Sequence, residues 1–190
     1  MSALKKPVQN EETRYTYTDY YSWDDDERWE LIDGVPYAMA APTVTHQSTS
    51  ANIFFSIKSY LRGKTCKVLY APTDVRLNAD TKDNTVVQPD ILVVCDKSKL
   101  DGKSVVGAPD MVVEILSPSS ASYDMIRKYN LYMNAGVREY WIVDPEFETV
   151  ITNILKDGTY VRKDYEKTDT VPVGILEGCE VVLSEVFEGE

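Results

Sequence analysis

Two rhythms of apolar and polar positions run along the chain, and each change of rhythm marks an element. Ile53, Phe54, Ile57 and Leu61 recur at helical spacing, which predicts a helix entered after Thr43-Val44-Thr45-His46 and stopped near Gly63. Ser122–Asn134 reads as a second helix, with Ile126, Tyr129 and Met133 as its apolar side and Gly136 ending it. Thr18 and Asp19 predict a capped short helix running to about Asp24.

Between the helices the pattern shortens to strand-like runs: Lys67–Tyr70, Asp74–Leu77, Val86–Cys95 and Met111–Leu116. Pro89 interrupts the third, so its start reads as an edge or a bulge. Arg28–Met39 reads as a hairpin turning at Asp33-Gly34. Glu139–Val143, Glu148–Leu155 and Thr159–Tyr165 are further strands, residues 96–109 are a loop or short helix, and Cys179–Phe187 is ambiguous. The order predicts an α/β (α+β) fold with a mixed sheet. Residues 1–14 read as a flexible N-terminal arm and 15–190 as one domain.

Composition narrows the chemistry. A single histidine excludes a multi-histidine metal site in one chain, and three separated cysteines with no C-x-x-C exclude a zinc ribbon. The sparse cysteines argue against a disulfide framework and suggest a reducing compartment. No apolar run reaches the roughly 18 residues of a membrane span, and the N-terminus lacks the apolar stretch of a signal peptide. A cytoplasmic protein without a membrane partner is therefore expected. Lys and Arg number 20 against 31 Asp and Glu, a net charge of −11, which argues against nucleic-acid binding by the surface as a whole.

Three carboxylates stand where the pattern wants apolar residues: Glu114 in Met-Val-Val-Glu-Ile-Leu, Asp90 before Ile-Leu-Val-Val, and Glu30 in Trp-Glu-Leu-Ile. Each alone could face solvent from the outer side of a strand. Together they suit an all-oxygen site for a hard divalent ion. On the helix after Glu114, Asp124, Lys128 and Tyr132 share a face at i, i+4 and i+8. Lys128 could serve the acids or simply pair with Asp124.

These residues fall within a recognisable series: Trp29-Glu30-Leu31-Ile32-Asp33-Gly34, His46-Gln47, Asp74-Val75-Arg76-Leu77, Gln88-Pro89-Asp90-Ile91, Val113-Glu114-Ile115-Leu116-Ser117-Pro118, Asp124-x-x-x-Lys128-x-x-x-Tyr132 and Gly136–Pro145. The series resembles the Uma-two family of restriction-endonuclease-like proteins, a branch of the PD-(D/E)xK nuclease superfamily, over about residues 15–187. The resemblance implies a restriction-endonuclease-like core, a mixed β-sheet flanked by helices. It also implies Mg²⁺-dependent hydrolysis of phosphodiesters, which reads as a DNA endonuclease using Mg²⁺ or Mn²⁺, and as a homodimer because cutting a duplex needs two sites. Asp90 and Glu114 match the two acids. The usual lysine two residues after the second acid is Leu116 here, and the family pattern points to Lys128 instead.

On this reading Asp90 and Glu114 hold the metal, with Glu30 completing the shell, and Lys128 orients water or stabilises charge. Tyr132 and Ser117 are supporting residues. His46 is either a phosphate contact or base, or a histidine hydrogen-bonded at a helix start. Asp74 is an additional acid or a turn cap. No acid lies between Asp33 and Asp74, whereas Lys58, Arg62, Lys64 and Lys67 do, as phosphate contacts or as a solvated face. The C-terminal stretch after Lys167 has acids and no base and should repel a nucleic acid. Two other functions remain open: a catalytically silent nuclease fold that binds partners, and a metal-dependent hydrolase of small phosphoesters.

Overall fold

The structure, a computed structural model, describes residues 7, 13–24, 26–117 and 123–188, with nothing stated of the side chains of 123–125. The expected N-terminal arm lies mostly outside the described residues. In chain order the elements begin with α1 (Tyr17–Tyr21), β1 (Trp29–Ile32), β2 (Val35–Ala38), α2 (Val44–Tyr60), β3 (Lys67–Tyr70) and β4 (Val75–Arg76). Next are β5 (Val86–Val87), β6 (Ile91–Val94), β7 (Val105–Val106), β8 (Met111–Ile115) and α3 (Tyr123–Ala135). The rest are β9 (Glu139–Asp144), β10 (Thr149–Lys156), β11 (Thr159–Glu166), β12 (Thr170–Pro172), β13 (Glu180–Val182) and α4 (Leu183–Val186). The mixed α/β architecture expected from the pattern is the one observed.

The chain forms two compact units. The first comprises Met1–Ala41, Thr73–Gln88 and Ser98–Ala108. It holds a five-stranded sheet in the order β2-β1-β5-β4-β7. The β1–β2 hairpin turns at Asp33 (φ 50°) and Gly34 (φ 80°), the two left-handed residues that a type I′ turn requires. α1 starts earlier than expected. Thr16, not Thr18, is its cap, and its amide and hydroxyl both donate to Asp19 Oδ2 at 2.8 Å. Tyr15, Leu31 and Val86 form a small core against Tyr17, Tyr20 and Trp23.

The second unit comprises Pro42–Pro72, Pro89–Lys97 and Pro109–Glu190. Its six-stranded sheet has the order β11-β10-β9-β8-β6-β3, with only β8 and β9 parallel. Parallel neighbours need a crossover, and α3 supplies it. One sheet face, with Val93, Val113, Trp141 and Val143, packs on Ile53 and Ile57 of α2 in the main core. Alternation places Val112, Glu114 and Tyr140 on the other face, where Tyr140 meets Tyr132 of α3 with ring centroids 5.1 Å apart.

Several expectations need correction. Pro89 does not kink one strand. It separates β5 and β6, which belong to different sheets. On α3 the fully buried Tyr132, and Tyr129, whose ring centroid lies 5.2 Å from that of Tyr160 in β11, face the sheet, while Ile126 is 67% exposed. Cys66 and Cys95 are joined in a disulfide. The β3–β6 ladder pairs Lys67 with Val94, so it brings the two flanking cysteines opposite each other. That bridge removes the cysteine argument for a reducing compartment. The strands β7 and β12 were not expected. The ambiguous C-terminal segment resolves into β13 and α4, which pack on α2 through the main core.

Candidate functional site

Asp90 lies just before β6, and the β6–β8 ladder, which pairs Ile91 with Val113, brings it across from Glu114. Asp90 Oδ2 accepts the amide N–H of Ile115 at 2.8 Å and lies 3.2 Å from His46 Nε2. His46 occupies the first turn of α2, where Thr43 caps the helix by accepting the His46 amide at 3.2 Å. The helix cap therefore fixes the backbone from which the imidazole reaches Asp90. Burial alone would lower the His46 pKa. The hydrogen bond and charge of Asp90, the charge of Glu114 and the Ile115 backbone outweigh it, so the imidazole holds its proton above the ordinary value. Nδ1 of His46 is buried and has no hydrogen-bond partner.

Glu114 is the second centre. Its Oε1 accepts from Lys128 Nζ at 3.1 Å and from Tyr132 Oη at 2.6 Å. Lys128 and Tyr132 are one turn apart on α3, and the crossover returns both to the strand that carries Glu114. The Glu114 and Lys128 side chains are 13% and 12% exposed, so neither acid nor base belongs to a solvated outer face. Asp90, Glu114, His46, Lys128 and Tyr132 are thus assembled at one end of the sheet. Ser117 follows β8 closely and is partly buried. The Asp124 side chain lies outside the described residues.

Glu30 belongs to the first unit, where it is buried and accepts the Gln88 amide at 3.0 Å. Asp74, also in the first unit, accepts from Tyr20 Oη and Gln88 Nε2, each at 2.9 Å, a network rather than the turn cap considered from sequence. Gln88 Oε1 in turn takes Arg28 Nε and Nη2 at 3.0 and 2.7 Å. Sequence reasoning missed this Arg28–Gln88–Tyr20–Asp74 network, because its members are scattered and individually ordinary. Lys58, Arg62, Lys64 and Lys67 are exposed at the far end of α2. Lys58 is about 18 Å along the helix axis from His46.

The donor set of the second unit suits a hard ion. It has two carboxylates on neighbouring strands and no thiolate. Mg²⁺ is commonly held by one or two carboxylates and keeps several waters for sharing with phosphate. Among the described residues no group of three His, Cys, Asp or Glu forms a closed cage. The residues therefore fit an open, phosphate-sharing ion and not an all-protein one.

The profile of the Uma2 family, described as "Putative restriction endonuclease", matches residues 17–184. The chain belongs to the Uma2 family. It is 25% identical over 175 residues to the uncharacterized protein slr1290 of Synechocystis sp., covering 90% of each chain. A crystal structure from Anabaena variabilis, described as "a putative nuclease belonging to DUF820", superposes with a TM-score of 0.74 at 17% identity. That match covers 91% of this chain and 97% of the other. The Uma2 chain thus has a nuclease-like fold. No helix among its described residues is long and apolar enough to cross a membrane.

Proposed function

We propose that this Uma2 protein is a divalent-metal-dependent endonuclease that hydrolyses phosphodiester bonds in DNA. The observation that carries the reading is the convergence of Asp90, Glu114 and Lys128 on one end of the six-stranded sheet, joined by His46 and Tyr132. Asp90 and Glu114 would hold Mg²⁺ or Mn²⁺, which when bound supplies Lewis-acid charge and lowers the pKa of a bound water.

The protein's own contribution is orientation and charge. Ile115 N–H and His46 fix the Asp90 carboxylate, and Tyr132 fixes that of Glu114. Lys128 places its ammonium beside Glu114, where it can stabilise negative charge developing on the phosphoryl oxygens. Cutting both strands of a duplex at one place requires two such sites, which supports a homodimer. Glu30 and Asp74 have bonding roles within the first unit and receive no ion in this proposal.

Plasmid nicking tests the reading. Cleavage should require Mg²⁺ or Mn²⁺ and should vanish in Glu114→Gln. Equal cleavage by Glu114→Gln and the parent would overturn the assignment. Absence of Mn²⁺ binding at millimolar concentration in calorimetry would favour the catalytically silent alternative.

A further inference from the structure

Two largely exposed aromatic rings stand on packed neighbours of the second unit, α2 and β3. Phe55 of α2 is 70% exposed and Tyr70 of β3 is 60% exposed. Tyr70 is the last residue of an edge strand. It pairs with Ile91, next to Asp90, and the following amide, of Ala71, donates to the Asp90 carbonyl at 3.0 Å. Phe54 meets the Tyr70 ring edge to face, with centroids 4.9 Å apart and planes at 74°. That contact holds the Tyr70 ring in place and leaves much of its surface open.

The helix itself brings only positive charge to these rings. The 17 residues of α2 include no acid. Lys58 lies one turn after Phe54 and three residues after Phe55, exposed on the helix surface, and Arg62 is exposed in the turn just past the helix end. The acidic C-terminal segment packs on a different flank. Asn52 Nδ2 donates to the carbonyls of Glu185 and Val186, and Tyr60 Oη donates to that of Glu177. Asn52 is two residues from Phe54, about 200° around the helix, so these contacts lie away from the Phe54–Tyr70 pair, while Phe55, three residues after Asn52, borders them.

We infer that the flank of α2 beside β3, with Tyr70, Phe54, Phe55, Lys58 and Arg62, is a track for a single-stranded nucleic acid running from the Asp90 end of the sheet. The rings stack on unpaired bases and the two cations contact phosphates. A duplex offers no exposed base face, so the track gives the protein a preference for unpaired or frayed strands. This inference rests on the nuclease reading for its direction toward Asp90, but its binding step does not depend on turnover.

Fluorescence anisotropy with a short fluorescein-labelled oligothymidylate and a duplex of equal length, both in EDTA, measures the track directly. Tyr70→Ala and Phe55→Ala should each weaken single-strand binding about tenfold, while duplex binding changes much less. Tyr70→Phe should keep single-strand affinity within about twofold of the parent, since a phenyl ring stacks equally well. Lys58→Glu should reduce the salt dependence of binding. Unchanged single-strand affinity in both ring variants overturns the inference, as does an equal loss for single strand and duplex. So does a parent dimer that becomes monomeric in the ring variants without loss of binding, which would make this face a self-interface. Failure of the nuclease reading looks different: the parent does not cleave with metal, yet the ring variants still lose single-strand binding.

Discussion

Tyr132 donates its hydroxyl hydrogen to Glu114 Oε1 across 2.6 Å, although Tyr132 is fully buried and its ring packs on Tyr140. A buried phenol needs a partner, and a half-buried carboxylate needs donors, so each residue makes the other's position tolerable. Tyr132→Phe keeps the ring and removes only the donor. The expected loss in unfolding free energy is about 1–2 kcal/mol. Cleavage should fall further than stability alone explains, with altered dependence on Mn²⁺ concentration, because Glu114 would no longer be held in one plane. Urea denaturation and metal-dependent plasmid cleavage together check this. A variant that loses stability but cleaves like the parent at every Mn²⁺ concentration would reduce Tyr132 to a packing residue.

Lys128 competes with any ion for the same carboxylate, since its ammonium is 3.1 Å from Glu114 Oε1. Lys128→Ala should therefore bind Mn²⁺ at least as tightly as the parent while cleavage drops about a hundredfold or more. Calorimetry and single-turnover cleavage separate the two effects. Weaker Mn²⁺ binding in the variant would mean that the lysine supports the ion rather than opposing it.

The order of elements and the two acids were legible in the sequence because both rest on local pattern. The Ile53–Leu61 stripe, the Asp33-Gly34 turn and the odd placement of Glu114 in an apolar run each need only neighbours along the chain. The face of α3 was legible only in part: the shared side of Lys128 and Tyr132 and the packing of Tyr129 came from spacing, but the place of Ile126 did not. Hydrophobicity favoured Ile126, but a tyrosine with a buried carboxylate partner outcompeted it for the sheet. The division of Val86–Cys95 between two sheets was equally hidden, since it depends on which distant strands pair with each half. His46 was ambiguous by spacing, and only the fold of α2 against the sheet shows its contact with Asp90.

The Cys66–Cys95 bridge closes a loop with a sequence separation of 29 and ties β3, with its exposed Tyr70, to β6. Loop-closure entropy predicts a stabilisation of about 2–4 kcal/mol for a loop of this size. Dithiothreitol should lower the unfolding free energy of the parent by that amount and move its urea midpoint down accordingly. The Cys66→Ala/Cys95→Ala double variant should unfold at the reduced protein's midpoint with or without reductant. Insensitivity of the parent to dithiothreitol, with free thiols detected in the untreated protein, would show that the bridge does not form in solution.

Glu139, the first residue of β9, is fully buried. Its Oε1 accepts from Trp141 Nε1 at 2.7 Å and from the Gly174 amide at 3.1 Å, and Oε2 accepts from the Ile175 amide at 2.8 Å. Gly174 is what allows this approach, since a Cβ there would lie 3.3 Å from Oε2 and from the Ile154 side chain. Burial raises the Glu139 pKa above its ordinary 4.5, and the three donors and the Arg138 charge recover only part of that shift. A carboxyl with a raised native pKa contributes its stability fully below the unfolded value, and the contribution is lost as pH rises through the native value. The Glu139 component of stability should thus decline as pH rises above about 4.5, against the trend set by carboxylates such as Asp101, whose pKa is lowered by the Ser104 and Lys103 amides. Glu139→Gln cannot titrate, so the difference in urea stability between parent and variant isolates this component. The variant loses one acceptor, because its amide nitrogen cannot accept where an oxygen did, and should be less stable by about 1–3 kcal/mol at low pH. The gap should narrow as pH rises. A gap that stays constant from pH 4 to pH 7 would show that the Glu139 pKa is the same in the folded and unfolded chain, and would overturn the assigned shift.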